Sequence, residues 1–100
     1  MSTFRHVLMV RFRDDVLEDQ IEAMLEGLGT LPGLIPEIAG YSFGLDIGIR
    51  EGNPDFGLVA DFASETDWRA YQEHPDHVEV VNLVNAVAGE KTSMQFVFHA

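Results

Sequence analysis

The stretch AYQEHPDHVEVV, residues 70–81, decides how the second half of the chain is arranged. His74 precedes Pro75, and a proline ring disfavours helical geometry at the residue before it. A helix arriving from Trp68 therefore ends at this point. Pro75 suits the first position of a new helix, where its missing N–H would have had no partner. His77 then falls in the first turn of that second helix. The positive end of a helix disfavours imidazolium, which keeps a histidine neutral and able to accept a proton. Adjacent Asp76 acts in the opposite direction. Tyr71 lies about a turn before the break and can point into the same space. The stretch is a candidate proton-transfer site.

Working outward, FRHVLMVRFR, residues 4–13, alternates as a strand. Phe4, His6, Leu8, Val10 and Phe12 share one side; Arg5, Val7, Met9, Arg11 and Arg13 share the other. Residues 17–31 set Ile21, Met24, Leu25 and Leu28 at helical spacing, with Glu18, Asp19 and Glu22 near the start. Gly27 and Gly29 weaken the end of that helix. LPGLIPEIAG is expected to be a loop, since two prolines do not fit a helix interior. Tyr41, Phe43, Leu45 and Ile47 alternate with Ser42, Gly44 and Asp46 as a second strand. REGNPDFG reads as a polar turn, and LVADFA, residues 58–63, as a third strand. Ser64 is a natural N-cap, with Asp67 at the acidic position of a capping box. Beyond Pro75, Val78, Val81 and Val84 continue one helical face, broadened by Val80, Leu83 and Val87. TSMQFVFH closes the chain as a strand, with Met94, Phe96 and Phe98 on one face and Gln95 and Val97 on the other.

The order β-α-β-β-α-α-β is the split βαβ, ferredoxin-like α+β arrangement with its second helix divided by proline. Residues 1–100 are expected to form one domain. Helices would cover only one side of a four-stranded sheet. The other side would carry Val7, Met9 and Val97, too apolar for open water. A two-fold homodimer with its two sheets face to face is therefore expected.

Composition narrows the partners. A net charge of −11 argues against the basic surfaces that bind nucleic acid, and equally against a docking face for anionic membranes. Arg5, Arg11 and Arg13 form the one basic cluster; they could bind an anionic substrate, but more often pair with a partner's carboxylates. There are no cysteines, which removes disulfides and thiolate chemistry. Residues 1–12 lack the apolar run of a signal peptide, and no segment reaches membrane-spanning length, so a soluble cytoplasmic protein is expected. His74, Asp76 and His77 lie close in sequence, but a helix start sends successive side chains in different directions. No metal or other cofactor is expected.

RHVLMVRFR, LPGLIPEI, FASETDWRAYQEHPDHVEVV and the closing MQFVFH resemble the stress-responsive A/B barrel domain family, Dabb, within the dimeric α+β barrel proteins. The resemblance spans nearly the whole chain. Its Tyr-x-x-His-Pro-x-His pattern, with a histidine in the first strand, is more specific for the fold than for an activity. One plant branch of the family, olivetolic acid cyclase, closes a linear polyketide by aldol condensation without a metal. The resemblance implies that His77 matches that branch's catalytic histidine, Tyr71 its catalytic tyrosine and His6 its pocket histidine.

The candidate catalytic residues are therefore His77, Tyr71 and His6. His77 would act as general base toward a proton beside a carbonyl. Tyr71 would hold the oxygen as an enolate forms, and His6 would orient the ligand or His77. Leu8, Val10, Trp68, Val78 and Val81 are candidates for binding a small apolar or aromatic carbonyl compound. This reading gives a small-molecule-binding Dabb protein with polyketide cyclase-like, lyase or isomerase acid–base chemistry. The alternatives are a non-enzymatic stress-responsive dimer whose histidines hold the helix break, and a cofactor-free monooxygenase-like activity.

Overall fold

The computed structural model describes residues 2–99. The strands are β1 (Ser2–Phe12), β2 (Gly40–Leu45), β3 (Phe56–Phe62) and β4 (Ala88–His99). The helices are α1 (Glu18–Leu34), α2 (Glu65–Glu73) and α3 (Pro75–Val87). The strands form one antiparallel sheet in the order β2-β3-β1-β4, the ferredoxin-like topology. On β3, Phe56, Leu58, Ala60 and Phe62 alternate with half-exposed residues and turn inward. They pack with Phe4 and Val10 of β1 against Met24, Leu28, Leu31, Tyr71, Val80, Val84 and Val87 of the helices.

Helix α1 starts as the sequence suggests. Leu17 offers no side-chain acceptor, but Gln20 Oε1 accepts from the Leu17 N–H at 2.9 Å, one half of a capping box. The helix then runs on through Pro32, where a loop was expected. Leu31 and Ile35 are fully buried on either side of this proline, and the Ile35 N–H donates to the Leu31 carbonyl at 2.9 Å. Burial of the final turn outweighs the one hydrogen bond that proline cannot make.

Two strand boundaries also differ from the sequence reading. β2 ends at Leu45, leaving Ile47 81% exposed, because the chain turns away at Gly48 with a positive φ of 76°. β3 begins at Phe56, inside the stretch read as a polar turn, because Phe56 pairs with Leu45 and fills the core.

β4 follows α3 without a loop, so its phase is set by pairing with β1. Val7 pairs with Met94, Arg5 with Phe96 and Thr3 with Phe98, which puts all three large apolar side chains on the side away from the helices. Val97 pairs with Phe4 and faces the helical side, not the open one as expected. The open side is thus more apolar than the sequence reading had it. The three arginines of the first strand region make contacts of their own. Arg5 makes a bidentate ion pair with Asp61 at 2.7 and 2.8 Å, while Arg11 and Arg13 donate to backbone carbonyls of Gly52, Asn53, Asn85 and Ala88. These bonds all lie within the chain.

Candidate active site

Sheet register builds one wall of the site. Tyr41 of β2 pairs with Ala60 of β3, Ala60 with His6 of β1, and His6 with Gln95 of β4. Directly opposed residues point to the same face, so these four form a row across the sheet. Ala60 is the small member of the row, and the Tyr71 ring packs against Tyr41 and Phe62.

The other wall is made at the helix break. His74 has φ −63° and ψ 132°, the extended geometry that a following proline imposes. Its Nδ1 caps α3 by accepting from the Asp76 N–H at 3.1 Å. The turn brings the end of α2 onto the start of α3, and the rings of Tyr71 and His77 lie with centroids 4.1 Å apart. Ser64 starts α2 by accepting from the Asp67 N–H at 3.2 Å.

Between the walls lies a cavity of about 490 Å³, within the range of small-molecule sites. His6, Tyr71 and His77, distant in sequence, all line it. Leu28, Leu58, Val80, Val81 and Val84 give it an apolar side, and Lys91, Ser93 and Gln95 a polar one. Of the expected binding residues, Leu8, Trp68 and Val81 line the cavity. Val10 and Val78 do not. Val10 is fully buried in the core beyond it, and Val78 is 50% exposed on the outward side of α3. Among the described residues, no three potential metal-ligating side chains converge.

Hydrogen bonds orient the rings. Gln72 O can only accept, so the 3.3 Å contact makes His77 Nδ1 the protonated nitrogen and leaves the Nε2 lone pair free. Gln95 Nε2 donates to His6 Nδ1 at 2.9 Å, which puts the His6 proton on Nε2. Burial lowers the pKa of His77, with the Gln72 carbonyl opposing and His74 reinforcing the shift. Burial also lowers His6, helped by the nearby His77. Burial thus favours the neutral form of both imidazoles.

The Tyr71 and Tyr41 hydroxyls lie 2.8 Å apart. Burial pushes Tyr71 up to about 12, while the contact with Tyr41 draws it down. Tyr41 is raised by burial and further by Tyr71. Both effects fit Tyr41 as donor and Tyr71 oxygen as acceptor, leaving the Tyr71 O–H for another acceptor. Trp68 packs on Phe4 and His6 with centroids 5.4 and 5.9 Å away, and its Nε1 is buried without a hydrogen-bond partner. Sequence reasoning missed Tyr41, Gln72, Lys91 and Gln95. Tyr41 had a signal, as an aromatic on the inward face of β2, but its partner depends on strand register.

Residues 4–98 match the Stress Responsive A/B Barrel Domain, and the chain belongs to that family, Dabb. It is 28% identical over 81 residues to the stress-response A/B barrel domain-containing protein HS1 of Arabidopsis thaliana, covering 79% of this chain and 74% of that protein. Among solved structures it resembles a dimeric ferredoxin-like protein of unknown function from Thermobifida fusca. The TM-score is 0.90 at 38% identity, covering 97% of this chain and 92% of that one. It also shares the fold of the hydroxynitrile lyase of Passiflora edulis, with TM-score 0.85, 18% identity and coverage of 97% and 94%. No helix among the described residues is long and apolar enough to cross a membrane.

Proposed function

We propose that this Dabb protein binds a small apolar or aromatic carbonyl compound and moves a proton on it, in the manner of a polyketide cyclase or related lyase. The observation that carries this reading is the meeting of His6, Tyr71 and His77 around one cavity of about 490 Å³. His77 Nε2 takes a proton from carbon beside the carbonyl. Tyr71 O–H donates to the carbonyl oxygen as negative charge develops there, with Tyr41 donating to Tyr71 in turn. His6 offers the opposite valence, an Nε2–H, and orients the ligand. The unpartnered Trp68 N–H is a standing donor beside the same space. A hydroxynitrile lyase among proteins of the same fold is consistent with such chemistry.

The chain works as a homodimer, as the solved relatives described as dimeric do. The open face carrying Val7, Met9, Met94 and Phe96 is the surface that a second copy covers.

The test is a ligand screen followed by two variants. Aromatic ketones and polyketide-like diketones should raise the melting temperature and exchange their α-protons with deuterated solvent faster with protein than without. His77→Ala and Tyr71→Phe should each slow that exchange about a hundredfold. Exchange unchanged in both variants rejects the assignment.

A further inference from the structure

The cavity has the opposite electrostatic character to the molecule. The chain carries 17 acidic residues, yet among the described residues none lines this space. The chain's single lysine does. Lys91, Ser93 and Gln95 pair with Val10, Leu8 and His6, so all three project toward the helices from the inward side of β4. In the middle of that strand Lys91, Ser93 and Gln95 face the helices while Met94 and Phe96 face the open side. All three inward side chains are solvent-exposed on this edge strand and at the same time line the cavity. Lys91 Nζ donates to the neutral Asn85 Oδ1 at 2.6 Å and, among the described residues, is in no carboxylate pair. Arg5 and Arg69, by contrast, are spent on Asp61 and Glu65.

We infer that the ligand is a carboxylate: its anionic end is held by Lys91 and Ser93, and its apolar body lies against Val81 and Val84. The inference rests on the binding role of the cavity proposed above and adds the ligand's charge and polarity. An ammonium and a hydroxyl on adjacent inward positions of one strand can donate together to a carboxylate. The neutral imidazoles contribute no competing cation. An apolar body stretching from this end along α3 would bring its carbonyl toward Tyr71 and His77.

The experiment compares a matched pair of probes, 4-butylbenzoate and 4-butylbenzamide, by calorimetry and amide NMR at about pH 8, where both histidines are neutral. The acid should bind about tenfold more tightly than the amide, with shifts centred on Ser93 and Gln95. Lys91→Gln should erase that preference, and Lys91→Arg should retain it. Added salt should weaken only the acid. Equal binding of acid and amide to the wild type would overturn the assignment of Lys91 while leaving the cavity reading intact. A preference that survives in Lys91→Gln would overturn it too, since the anion would then be held elsewhere. If neither probe nor any ketone binds, both readings fall together.

Discussion

Tyr41 and Tyr71 join the sheet to the helix break through hydroxyls 2.8 Å apart. The bond is partly buried, and removing either hydroxyl deprives the other of this partner. Tyr41→Phe and Tyr71→Phe should therefore each cost about 1–2 kcal/mol. The double variant should cost clearly less than their sum, a coupling of about 1 kcal/mol. Urea unfolding of the four proteins measures this. Strictly additive losses would mean that the two hydroxyls do not interact in solution.

Buried neutral histidines make stability depend on pH in a direction that can be worked out. His6 and His77 both lie below the ordinary value of 6.5 in the fold. Unfolded, they bind protons near 6.5. As pH falls through that value, the unfolded chain binds more protons and gains relative to the fold. Their stabilising contribution is complete above about pH 7 and is lost as pH falls through the folded values. Loss of excess negative charge on acidification acts the other way across the whole surface. The informative quantity is the drop in Tm between about pH 7.5 and 5.5, measured for the wild type and for the His6→Gln/His77→Gln double variant. The drop should be larger in the wild type. An equal or smaller one would contradict the burial of neutral imidazole.

The helix break was legible because its cause is local. A histidine before proline and a histidine two residues after it fix the geometry at 74–77 whatever surrounds them. The strand alternations of β1 and β3 were legible for the same reason. What could not be read depends on pairing. Met94, Phe96 and Phe98 look like a core face, and only register with Val7, Arg5 and Thr3 reveals that they face away from the helices. Likewise Val78 and Val80 are both valines of one helix, yet one is half exposed and the other 7% exposed. Tyr41 and Gln95 belong to the site through a row running perpendicular to the chain, which no one-dimensional spacing encodes.

Two glycines of α1 invite the same substitution with different outcomes. Gly33 has no heavy atom within 4 Å of where a Cβ would sit, so Gly33→Ala should stabilise by about 0.5–1 kcal/mol. A Cβ at Gly27 would come 2.9 Å from Leu83 Cδ1 and 3.4 Å from Val80 Cγ2, because α1 and α3 approach closely there. Gly27→Ala should gain little, as the relief of glycine's helix penalty is offset by displacement of Leu83. Gly27→Val, with a branched side chain in that gap, should destabilise by about 1–3 kcal/mol. Chemical denaturation of the three variants checks the order. A stabilised Gly27→Val would show that the helices are not in close contact.

The open sheet face gives the last prediction. Met9 and Phe96 are each 40% exposed and Met94 is 56% exposed, on one side of adjacent strands. The Arg5 guanidinium lies 4.6 Å from the Phe98 ring centroid and is neutralised by Asp61, so this face presents little net charge. Covering it removes apolar surface from water at about 25 cal/mol per Å². The opposing term is long-range, since each copy carries a charge of −11 and the two repel. Dimerisation should therefore tighten as salt rises and screens that repulsion. Phe96→Glu should yield monomers with native helix content, because the substituted side chain points away from the core. Their melting temperature should no longer rise with protein concentration, whereas that of the wild type should. Sedimentation equilibrium at low and high salt measures both effects. A wild type that stays monomeric throughout, or a Phe96→Glu variant that still pairs with unchanged affinity, would locate the dimer contact elsewhere or remove it.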